Sequence, residues 1–339
     1  MSGDGTSEAR RALVTGGAGF IGSHLCELLL GDGWEVFVLD DLSTGSPENV
    51  DALRDRPGFH LVVESVLSPA VVSELVHKCD VVFHLAAAVG VRLIVEQPGR
   101  TLLTNVQGTE TVLEYCARFG KRVLVASSSE VYGDHPEDTK LDEEARRIYG
   151  PTTSKRWAYA ATKAMDEFLA LALHAERGLD AVIARLFNTV GPRQSGQYGN
   201  VIPRFVAAAL ADRPLEVHGD GTQTRCFCHV LDSVRALSAL MDEEKTAGGV
   251  FNVGSTDRIS IVDLAKRVIA LTDSRSELIF VPYEEVYGQG IDEMFHRAPA
   301  IERIEAAVGW RPTRSLEQIV ADVASSVREY EPALRPADL

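Results

Sequence analysis

The stretch that decides the fold runs from Ala12 to Leu30 and reads ALVTGGAGFIGSHLCELLL. It begins with a short apolar run of strand length, and the part from Ser23 onward predicts a helix. The glycines between them fit G-x-G-x-x-G from Gly17 and G-x-x-G-x-x-G from Gly16. Such glycines let the chain turn sharply, a pyrophosphate approach the backbone, and the helix pack closely on its strand. The helix N-terminus then offers free N–H groups to the phosphates.

A second predicted strand, 34–39, follows this helix and ends at Asp40. An acid about 20 residues beyond the glycines is where the hydroxyls of an adenine ribose would be held. Strand, loop, helix and acid in this order favour dinucleotide binding over a glycine-rich turn that binds nothing. Asp41 follows and no basic residue is near, so a 2′-phosphate would be repelled. We therefore expect NAD rather than NADP as the cofactor.

The composition restricts the class of protein. The chain has 339 residues, of which 45% are hydrophobic, enough for a large buried core in one or two domains. Its 34 basic and 49 acidic residues give a net charge of −15, which argues against nucleic acid as a partner. No segment approaches the roughly 18 consecutive apolar residues of a membrane span, and residues 1–10 resemble a flexible polar tail, not a signal peptide. We expect a cytoplasmic protein without a membrane partner.

The cysteines predict neither disulfides nor a metal site. Their number is odd and they are scattered, which indicates free thiols in a reducing compartment. They are Cys26, Cys79, Cys116, Cys226 and Cys228. Cys226 and Cys228 form the only close pair, and no second Cys or His pair stands at ligand spacing. We therefore expect this pair to pack in the core and no metal to be bound.

Predicted strands and helices alternate along the first 190 residues. After the first two strands, the pattern predicts strands at 60–63, 80–85, 121–126 and 181–186 and helices at 68–77, 104–119 and 158–175. Such alternation is typical of an α/β fold. The sequence thus predicts a Rossmann-type, doubly wound parallel sheet with helices on both faces.

The composition shifts after Gly191-Pro192-Arg193, where the chain becomes polar and glycine-rich. Residues 229–254 then predict a helix and a strand that return to the main sheet, and helices follow at 261–271 and 316–329. We expect an NAD-binding domain of residues 11–190 plus about 228–254. A smaller, discontinuous α/β domain of about 191–227 plus 255–332 would bind the substrate.

Two stretches bring reactive side chains to the carboxyl ends of the strands, where ligands bind in such sheets. One is Ser127 to Gly133, directly after a strand; the other contains Tyr159 and Lys163, which share one helix face. A phenol with a pKa near 10 is a poor base at neutral pH. An adjacent ammonium and a bound nicotinamide cation would stabilise the phenolate and make it a usable base toward a sugar hydroxyl. An ordinary surface pair is the alternative for Tyr159 and Lys163.

With these motifs, the sequence resembles the extended short-chain dehydrogenase/reductase family, in its nucleotide-sugar branch of epimerases, dehydratases and decarboxylases. Segments that resemble the family are Thr15–Gly22, Asp40–Gly45, His84–Ala87, Ser127–Gly133, Tyr159–Lys163, Arg185–Arg193 and Gly219–Phe227. The resemblance implies that NAD oxidises C4 of the sugar and later returns the hydride. Ser65 departs from the family, where many relatives have an Asp near the adenine.

The resemblance also implies which residues hold the two ligands. The cofactor-binding residues would be Gly16, Gly19, Phe20, Ile21, Gly22, Asp40, Leu42, Ser43, Thr44, Gly45, Leu85, Ala86, Ala87, Tyr159 and Lys163. Substrate would be bound by Ser128, Glu130, Tyr159, Asn188, Arg204, Arg225 and Arg297. Asn188, Arg204 and Arg297 are candidates for the nucleotide diphosphate, although the two arginines could equally form surface ion pairs. His84 is expected to pack within its turn rather than to act in the chemistry.

Glu130 separates the subclasses within this branch. Many 4-epimerases carry a small residue there, whereas dehydratases and UDP-glucuronate decarboxylases carry Glu, and dehydratases typically place Asp where this chain has Ser129. The segments Lys155–Tyr159 and Tyr287–Asp292 also resemble bacterial UDP-glucuronate decarboxylases. Those enzymes usually have Thr at position 128, and Ser128 preserves the hydroxyl.

The interpretation favoured by this pattern is decarboxylation of UDP-glucuronate through a 4-keto intermediate, giving UDP-xylose or the 4-keto pentose. Ser128, Glu130, Tyr159, Lys163 and Arg225 would be the catalytic residues, with Arg225 on the sugar carboxylate because an arginine can donate two parallel hydrogen bonds. A salt bridge or a phosphate contact is the other interpretation of Arg225. The alternative function is a UDP-sugar 4-epimerase; a 4,6-dehydratase or a non-catalytic NAD sensor fits less well.

The two long predicted helices, 104–119 and 158–175, carry more apolar side chains than one sheet contact uses. The family resemblance suggests that they pair across a two-fold axis. We therefore expect a homodimer built around a four-helix bundle.

Overall fold

Seven parallel strands form the central sheet of the protein. The computed structural model describes residues 9–88, 98–136, 139–154, 157–194, 200–287 and 296–330. The strands of the main sheet are β1 (Arg11–Thr15), β2 (Glu35–Asp40), β3 (Phe59–Val63), β4 (Val81–His84), β5 (Arg122–Ser128), β7 (Ala181–Leu186) and β12 (Val250–Val253). Their order across the sheet is β12-β7-β5-β4-β1-β2-β3. Strands β2 and β3 are added on one side of β1, and β4, β5, β7 and β12 on the other, so the strand order reverses between β1 and β4. A ligand crevice is expected there, outside the carboxyl ends of the strands. The predicted doubly wound parallel sheet is confirmed.

Helices cover both faces of this sheet because each face is apolar and must be removed from water. On one face lie α1 (Phe20–Gly31) and α6 (Val230–Asp242), whose buried side chains include Leu25, Leu29, Val234 and Leu237. On the other lie α2 (Pro69–Lys78), α3 (Pro98–Phe119) and α4 (Trp157–Arg177). The two faces thus hold separate hydrophobic clusters, and α4 carries Tyr159 and Lys163 along the second of them.

The carboxyl-terminal half of the chain adds a smaller unit with its own apolar cluster. Helices α5 (Val201–Leu210), α7 (Ile261–Thr272) and α10 (Leu316–Tyr330) pack together there. A mixed sheet has the order β13 (Arg258–Ser260), β10 (Thr224–Cys226), β15 (His296–Pro299), β6 (Lys140–Leu141). The strand pairs β9 (Leu215–His218) with β14 (Leu278–Val281), and β8 (Thr189–Val190) with β11 (Cys228–His229), are parallel. Shorter helices are α8 (Tyr283–Tyr287), α9 (Glu302–Val308) and the 3₁₀ turns Pro47–Asn49, Asp51–Leu53, Ser129–Tyr132 and Glu244–Thr246.

Most predicted elements of the main sheet lie where the sequence placed them. The strand at 181–186 has the predicted bounds, and β12, within the predicted segment 229–254, returns to the main sheet beside β7. The helix expected at 104–119 begins six residues earlier, at Pro98. Its start was missed because Pro98-Gly99 has the composition of a turn, whereas proline is well tolerated in the first helical turn. The division into two domains stays a prediction.

Some predictions fall on parts of the chain that the structure does not cover. Residues 1–8 of the predicted tail, Lys155, Arg156 and the segment 288–292 lie outside the described residues. All five cysteines lie within the described residues and are buried free thiols. Cys226 and Cys228 therefore pack in the core. No helix of the described ranges is long and apolar enough to cross a membrane.

Candidate active site

A cavity of about 680 Å³ opens at the carboxyl ends of the central strands. Its wall is built by the glycine loop, the loops after β2 and β4, the end of β5, one face of α4, and residues after β7. Arg297 of β15 and Ser326 and Val327 of α10 close it from the smaller unit. The volume is in the range of ligand pockets, and the place is the crevice that the strand order predicts.

The glycine loop leaves no room for side chains where the backbone must approach a ligand. Gly16 has φ +72°, and a Cβ there would lie 2.8 Å from the backbone nitrogen of Ala86. A Cβ on Gly22 would lie 2.2 Å from the carbonyl oxygen of Gly16, so α1 can pack against the loop only without one. Gly16, Gly19, Phe20, Ile21 and Gly22 all line the cavity. The loop and the N-terminus of α1 form the cradle that a pyrophosphate requires.

Asp40 ends β2 at the rim of this cradle. One of its carboxylate oxygens accepts the N–H of Ala18 at 2.9 Å, and the other accepts the N–H of Leu42 at 2.9 Å. Burial raises the pKa of Asp40, while these N–H donors act in the opposite direction. Leu42 has φ +58°, a strained conformation for a leucine, which bends the loop back toward the carboxylate. The acid is thus fixed in place beside the cavity, where it can accept ribose hydroxyls.

Ser128 and Tyr159 meet in the cavity. Ser128 is the last residue of β5, and its hydroxyl caps the following 3₁₀ turn by accepting the N–H of Glu130 at 3.2 Å. Tyr159 lies on the first turns of α4 and is 8% exposed. Burial raises the pKa of Tyr159, the carboxylates of Glu130 and Asp166 raise it further, and a hydrogen bond with Ser128 lowers it. The protein's own groups therefore favour the protonated phenol.

Lys163 lies one turn beyond Tyr159 and also lines the cavity. Its ammonium pairs with Asp166 at 3.1 Å, and both side chains are buried. His84 is buried near Lys163. Its Nδ1 lies 2.8 Å from the Thr15 hydroxyl and its Nε2 lies 3.0 Å from the Thr109 hydroxyl. Burial, followed by the charge of Lys163, lowers the pKa of His84 to about 3, so the ring is neutral. His84 thus joins β1, β4 and α3, which agrees with a packing role.

Arg297 brings a positive charge to the end of the cavity that Ser128 and Glu130 line. Its Nη1 lies 3.2 Å from the hydroxyl of Ser129 and 3.4 Å from a carboxylate oxygen of Glu130. The side chain is 8% exposed and reaches the site from β15, far from Glu130 in sequence. A guanidinium has enough N–H donors to bind these groups and a planar anion together. From the sequence, Arg297 is a candidate only for binding the nucleotide diphosphate.

A buried ionic network fixes the elements that carry these residues. The carboxylate of Glu167 accepts two hydrogen bonds from Arg185, at 2.8 and 2.7 Å, and one from the Ser127 hydroxyl at 2.6 Å. Burial alone would raise the pKa of Glu167, but Arg185 and Ser127 hold it below its usual value. Arg185 also donates to the Tyr132 hydroxyl at 2.8 Å. The network ties α4 to β5, β7 and the turn that contains Glu130.

Not every predicted site residue reaches the cavity. Those that line it are the loop residues above and Asp40, Ser43, Thr44, Leu85, Ala86, Ala87, Ser128, Glu130, Tyr159, Lys163, Asn188 and Arg297. Leu42, Gly45, Arg204 and Arg225 are not among the lining residues. Arg225 donates to the carbonyl of Thr224 at 2.8 Å, and Arg204 contacts His218 and Glu216. Sequence alone gave no means of separating Arg225 from Arg297.

Arg193 is a cavity residue that no sequence pattern predicted. This residue has φ +66°, lines the cavity, and donates to Glu27 of α1 at 2.6 Å and to the Ser23 hydroxyl at 3.3 Å. It therefore brings a positive charge beside the first turns of α1, where phosphates would lie. The only sequence signal was its place in the family-like segment Arg185–Arg193. In the described ranges, no group of three or more His, Cys, Asp or Glu could hold a metal ion.

Comparison with known proteins agrees with this geometry. Residues 12–254 match the NAD dependent epimerase/dehydratase family. The chain is 40% identical over 323 residues to UDP-N-acetyl-alpha-D-glucosaminuronate decarboxylase of Bacillus cytotoxicus, covering 95% of this chain and 99% of that protein. It is 35% identical over 321 residues to UDP-glucuronic acid decarboxylase 1 of Arabidopsis thaliana, covering 94% of this chain and 70% of that protein.

A solved structure supports the same relationship. The UDP-glucuronic acid 4-epimerase of Bacillus cereus, in complex with UDP-glucuronic acid and NAD, superposes with a TM-score of 0.84. It is 28% identical, and the match covers 94% of this chain and 99% of that one. The glycine cradle, the fixed Asp40 and the Ser128, Tyr159 and Lys163 cluster thus lie in a fold that uses NAD. The chain belongs to the NAD-dependent epimerase/dehydratase family, as the sequence predicted.

Proposed function

We propose that this protein decarboxylates UDP-glucuronate, or a close UDP-hexuronate, through a 4-keto intermediate. The observation that carries the proposal is the contact of Arg297 with Glu130 in the same cavity as Ser128 and Tyr159. A positive charge at the sugar end suits a carboxylate substrate, and the hydroxyl and phenol suit oxidation at C4. The names of the relatives, two of them decarboxylases of UDP-linked uronic acids, support this choice.

The residues at the other end of the cavity fit NAD. A Cβ at Gly16 or Gly22 would clash with backbone atoms, so the cradle for a pyrophosphate can form only with glycine at both positions, and Asp40 is held where ribose hydroxyls would be accepted. When bound, NAD accepts a hydride from C4 of the sugar and can return it. The protein's own groups must then bind, orient and move protons.

Tyr159 takes the proton of the C4 hydroxyl. Burial raises its pKa, so the phenolate needs added positive charge, which the nicotinamide ring and Lys163 would supply. Ser128 is within hydrogen-bonding reach of the phenol and would bind the same sugar oxygen. The result at C4 is a ketone, which makes the C6 carboxylate that of a β-keto acid.

Loss of carbon dioxide then needs little further help. The bond between C5 and C6 breaks, its electron pair forms an enolate whose charge lies on O4, and a proton adds at C5. Arg297 would hold the carboxylate before the bond breaks, a role that the sequence analysis gave to Arg225. Glu130, in contact with Arg297, would assist proton movement at C5. Return of the hydride to C4 and of the proton from Tyr159 to O4 gives UDP-xylose, and earlier release gives the 4-keto pentose.

A UDP-sugar 4-epimerase is the second candidate, because the same residues would oxidise C4. The similarity to an epimerase that holds UDP-glucuronic acid favours keeping this alternative. Incubation with NAD and either UDP-glucuronate or UDP-N-acetylglucosaminuronate, followed by product identification by mass and NMR, separates the two. We expect a pentose product that has lost the carboxyl group. A product of unchanged mass with inverted C4 would overturn the proposal.

We also propose that the protein acts as a homodimer. Leu102 and Leu103 of α3 and Met165 and Phe168 of α4 are exposed, although both helices pack on the sheet with their other faces. Pairing of these helices with those of a second copy would remove the four side chains from water in a four-helix bundle. Light scattering should give twice the mass of one chain, and Phe168→Asp should give a monomer. A wild-type monomer at working concentration would contradict the proposal.

A further inference from the structure

Asp166 is a buried residue of α4, three positions after Lys163. Its Oδ2 is 3.1 Å from Nζ of Lys163, and the two side chains are 1% and 4% exposed. Its other oxygen, Oδ1, is buried and accepts no hydrogen bond from the described part of the chain. Burial raises the pKa of this carboxyl, and hydrogen bonds from Lys163 and the Thr109 hydroxyl act in the opposite direction, so keeping the carboxylate in the interior is costly. Its position beside a cavity-lining lysine gives that cost a functional explanation.

The pair affects the charge that Tyr159 experiences. Lys163 alone would favour the phenolate, but a carboxylate 3.1 Å from its ammonium offsets most of that charge at a distance. The pair is therefore nearly neutral as a whole. Without further positive charge in the cavity, the buried phenol has little reason to ionise.

We propose that Asp166 is a positioning residue that holds the Lys163 ammonium in a neutral buried pair, so that Tyr159 keeps its proton until the nicotinamide cation enters the cavity. The inference rests on the proposed role of Tyr159 as the base for the C4 hydroxyl, but not on which nucleotide sugar is used. It couples the base to the cofactor: a site without NAD holds no reactive phenolate.

The other charged groups around Tyr159 are few. From α4, Lys163 and Asp166 face it; from the 3₁₀ turn Ser129–Tyr132, Glu130 does, with Arg297 of β15 in contact with that carboxylate. His84 of β4 is buried near Lys163 and neutral, since its pKa is lowered to about 3. Glu130 and Asp166 are thus the two carboxylates that raise the pKa of Tyr159 beyond the effect of burial. Only Asp166 lies outside the cavity lining, so it can be changed without removing a substrate contact.

The first test compares pH profiles. Asp166→Asn keeps the shape of the side chain and removes its charge. The acidic limb of the pH profile of kcat/KM should then move to lower pH by about one unit, because the Lys163 ammonium acts on the Tyr159 phenolate unopposed. Asp166→Glu should retain the wild-type limb. Asp232→Asn is the matched control: Asp232 is also buried and paired with arginines, but it lies outside the cavity. It should lower the melting temperature and leave the limb in place.

The second test needs no substrate. Binding of NAD to the wild-type protein, followed by calorimetry in buffers of different ionisation enthalpy, should release protons, and Tyr159→Phe should not. In Asp166→Asn the midpoint of this release should also lie about one pH unit lower. An unmoved limb and midpoint in Asp166→Asn, or no proton release from the wild type, would overturn the proposal.

These tests separate the inference from the proposed function. If UDP-glucuronate is not decarboxylated, the profile is measured on UDP-glucose epimerisation, which needs the same base. The proposed function would then fail while the role of Asp166 is still decided. If Asp166→Asn does not fold, Asp166→Ser, which removes the same charge with a smaller side chain, is put through both measurements with the same expected shifts.

Discussion

The two ends of the cavity are built in opposite ways. The cofactor end is made of short segments that are contiguous in sequence, mainly Gly16–Gly22 and Asp40–Thr44, and it uses backbone groups and one fixed carboxylate. The sugar end is made of side chains from β5, α4 and β15. There the charged groups Glu130 and Arg297 come together although 167 positions separate them in the sequence.

This difference explains what each end specifies. A backbone cradle recognises a feature common to all dinucleotides, so it can be shared by epimerases, dehydratases and decarboxylases. The chemistry depends instead on which side chains distant elements bring to the sugar. Substitutions at the two ends should therefore fail in different ways: at the cofactor end through NAD affinity, at the sugar end through turnover and choice of substrate.

The largest effect is expected from Tyr159→Phe. The ring would pack as before, but no group would accept the C4 hydroxyl proton, and loss of a general base typically costs about 10²–10⁴ in rate. Turnover of UDP-glucuronate should fall by that amount, while NAD binding measured by calorimetry is retained. Turnover close to that of the wild type would remove Tyr159 from the mechanism.

The comparison of Arg297→Ala with Arg225→Ala tests which arginine binds the sugar carboxylate. Arg297→Ala should weaken the binding of UDP-glucuronate more than the binding of neutral UDP-glucose, because only the charged sugar loses its partner. Hydrogen bonds to charged groups contribute about 1.5–3 kcal/mol, so the affinity ratio should change by roughly 10- to 150-fold. Arg225→Ala should leave this ratio nearly unchanged.

The opposite pattern would restore the sequence-based assignment. If Arg225→Ala changes the ratio and Arg297→Ala weakens both ligands equally, Arg225 holds the carboxylate and Arg297 serves the diphosphate. Calorimetry with both ligands on both variants distinguishes these outcomes, with the melting temperature as the check of folding.

A smaller effect is expected at the cofactor end. Asp40→Ala removes the acceptor for ribose hydroxyls and for two backbone N–H groups, and NAD affinity should fall by about tenfold. Affinity for UDP should stay constant, because that ligand lies at the other end of the cavity. A loss of UDP affinity as large as the loss for NAD would show that the two ends are not independent.

The same contrast decides how much the sequence could predict. The glycine loop, Asp40 and the strands of the parallel main sheet were predictable because each depends on a local pattern: turn glycines, an acid at a strand end, and apolar runs. Tyr159 and Lys163 were recognised because they share one helix face. Both residues line the same cavity, as expected because ligands bind at the carboxyl ends of the strands in parallel sheets.

The sugar end was less predictable for a physical reason. Arg225 and Arg297 occupy paired positions on the neighbouring parallel strands β10 and β15, and this pairing joins segments about 70 residues apart. No local pattern indicates which of two adjacent arginines turns into the cavity. Arg193 and Asp166 were missed for the same reason. Arg193 matters through its contact with α1, and Asp166 through its contact with Lys163.

The central claim, that this cavity oxidises C4 in order to expel the C6 carboxylate, is tested most directly with UDP-glucuronate labelled at C6. Wild-type protein supplied with NAD should release the label as carbon dioxide and leave an unlabelled pentose nucleotide. Tyr159→Phe should release almost none. Retention of the label in a C4-inverted hexuronate made by the wild-type protein would contradict the account and identify the protein as an epimerase.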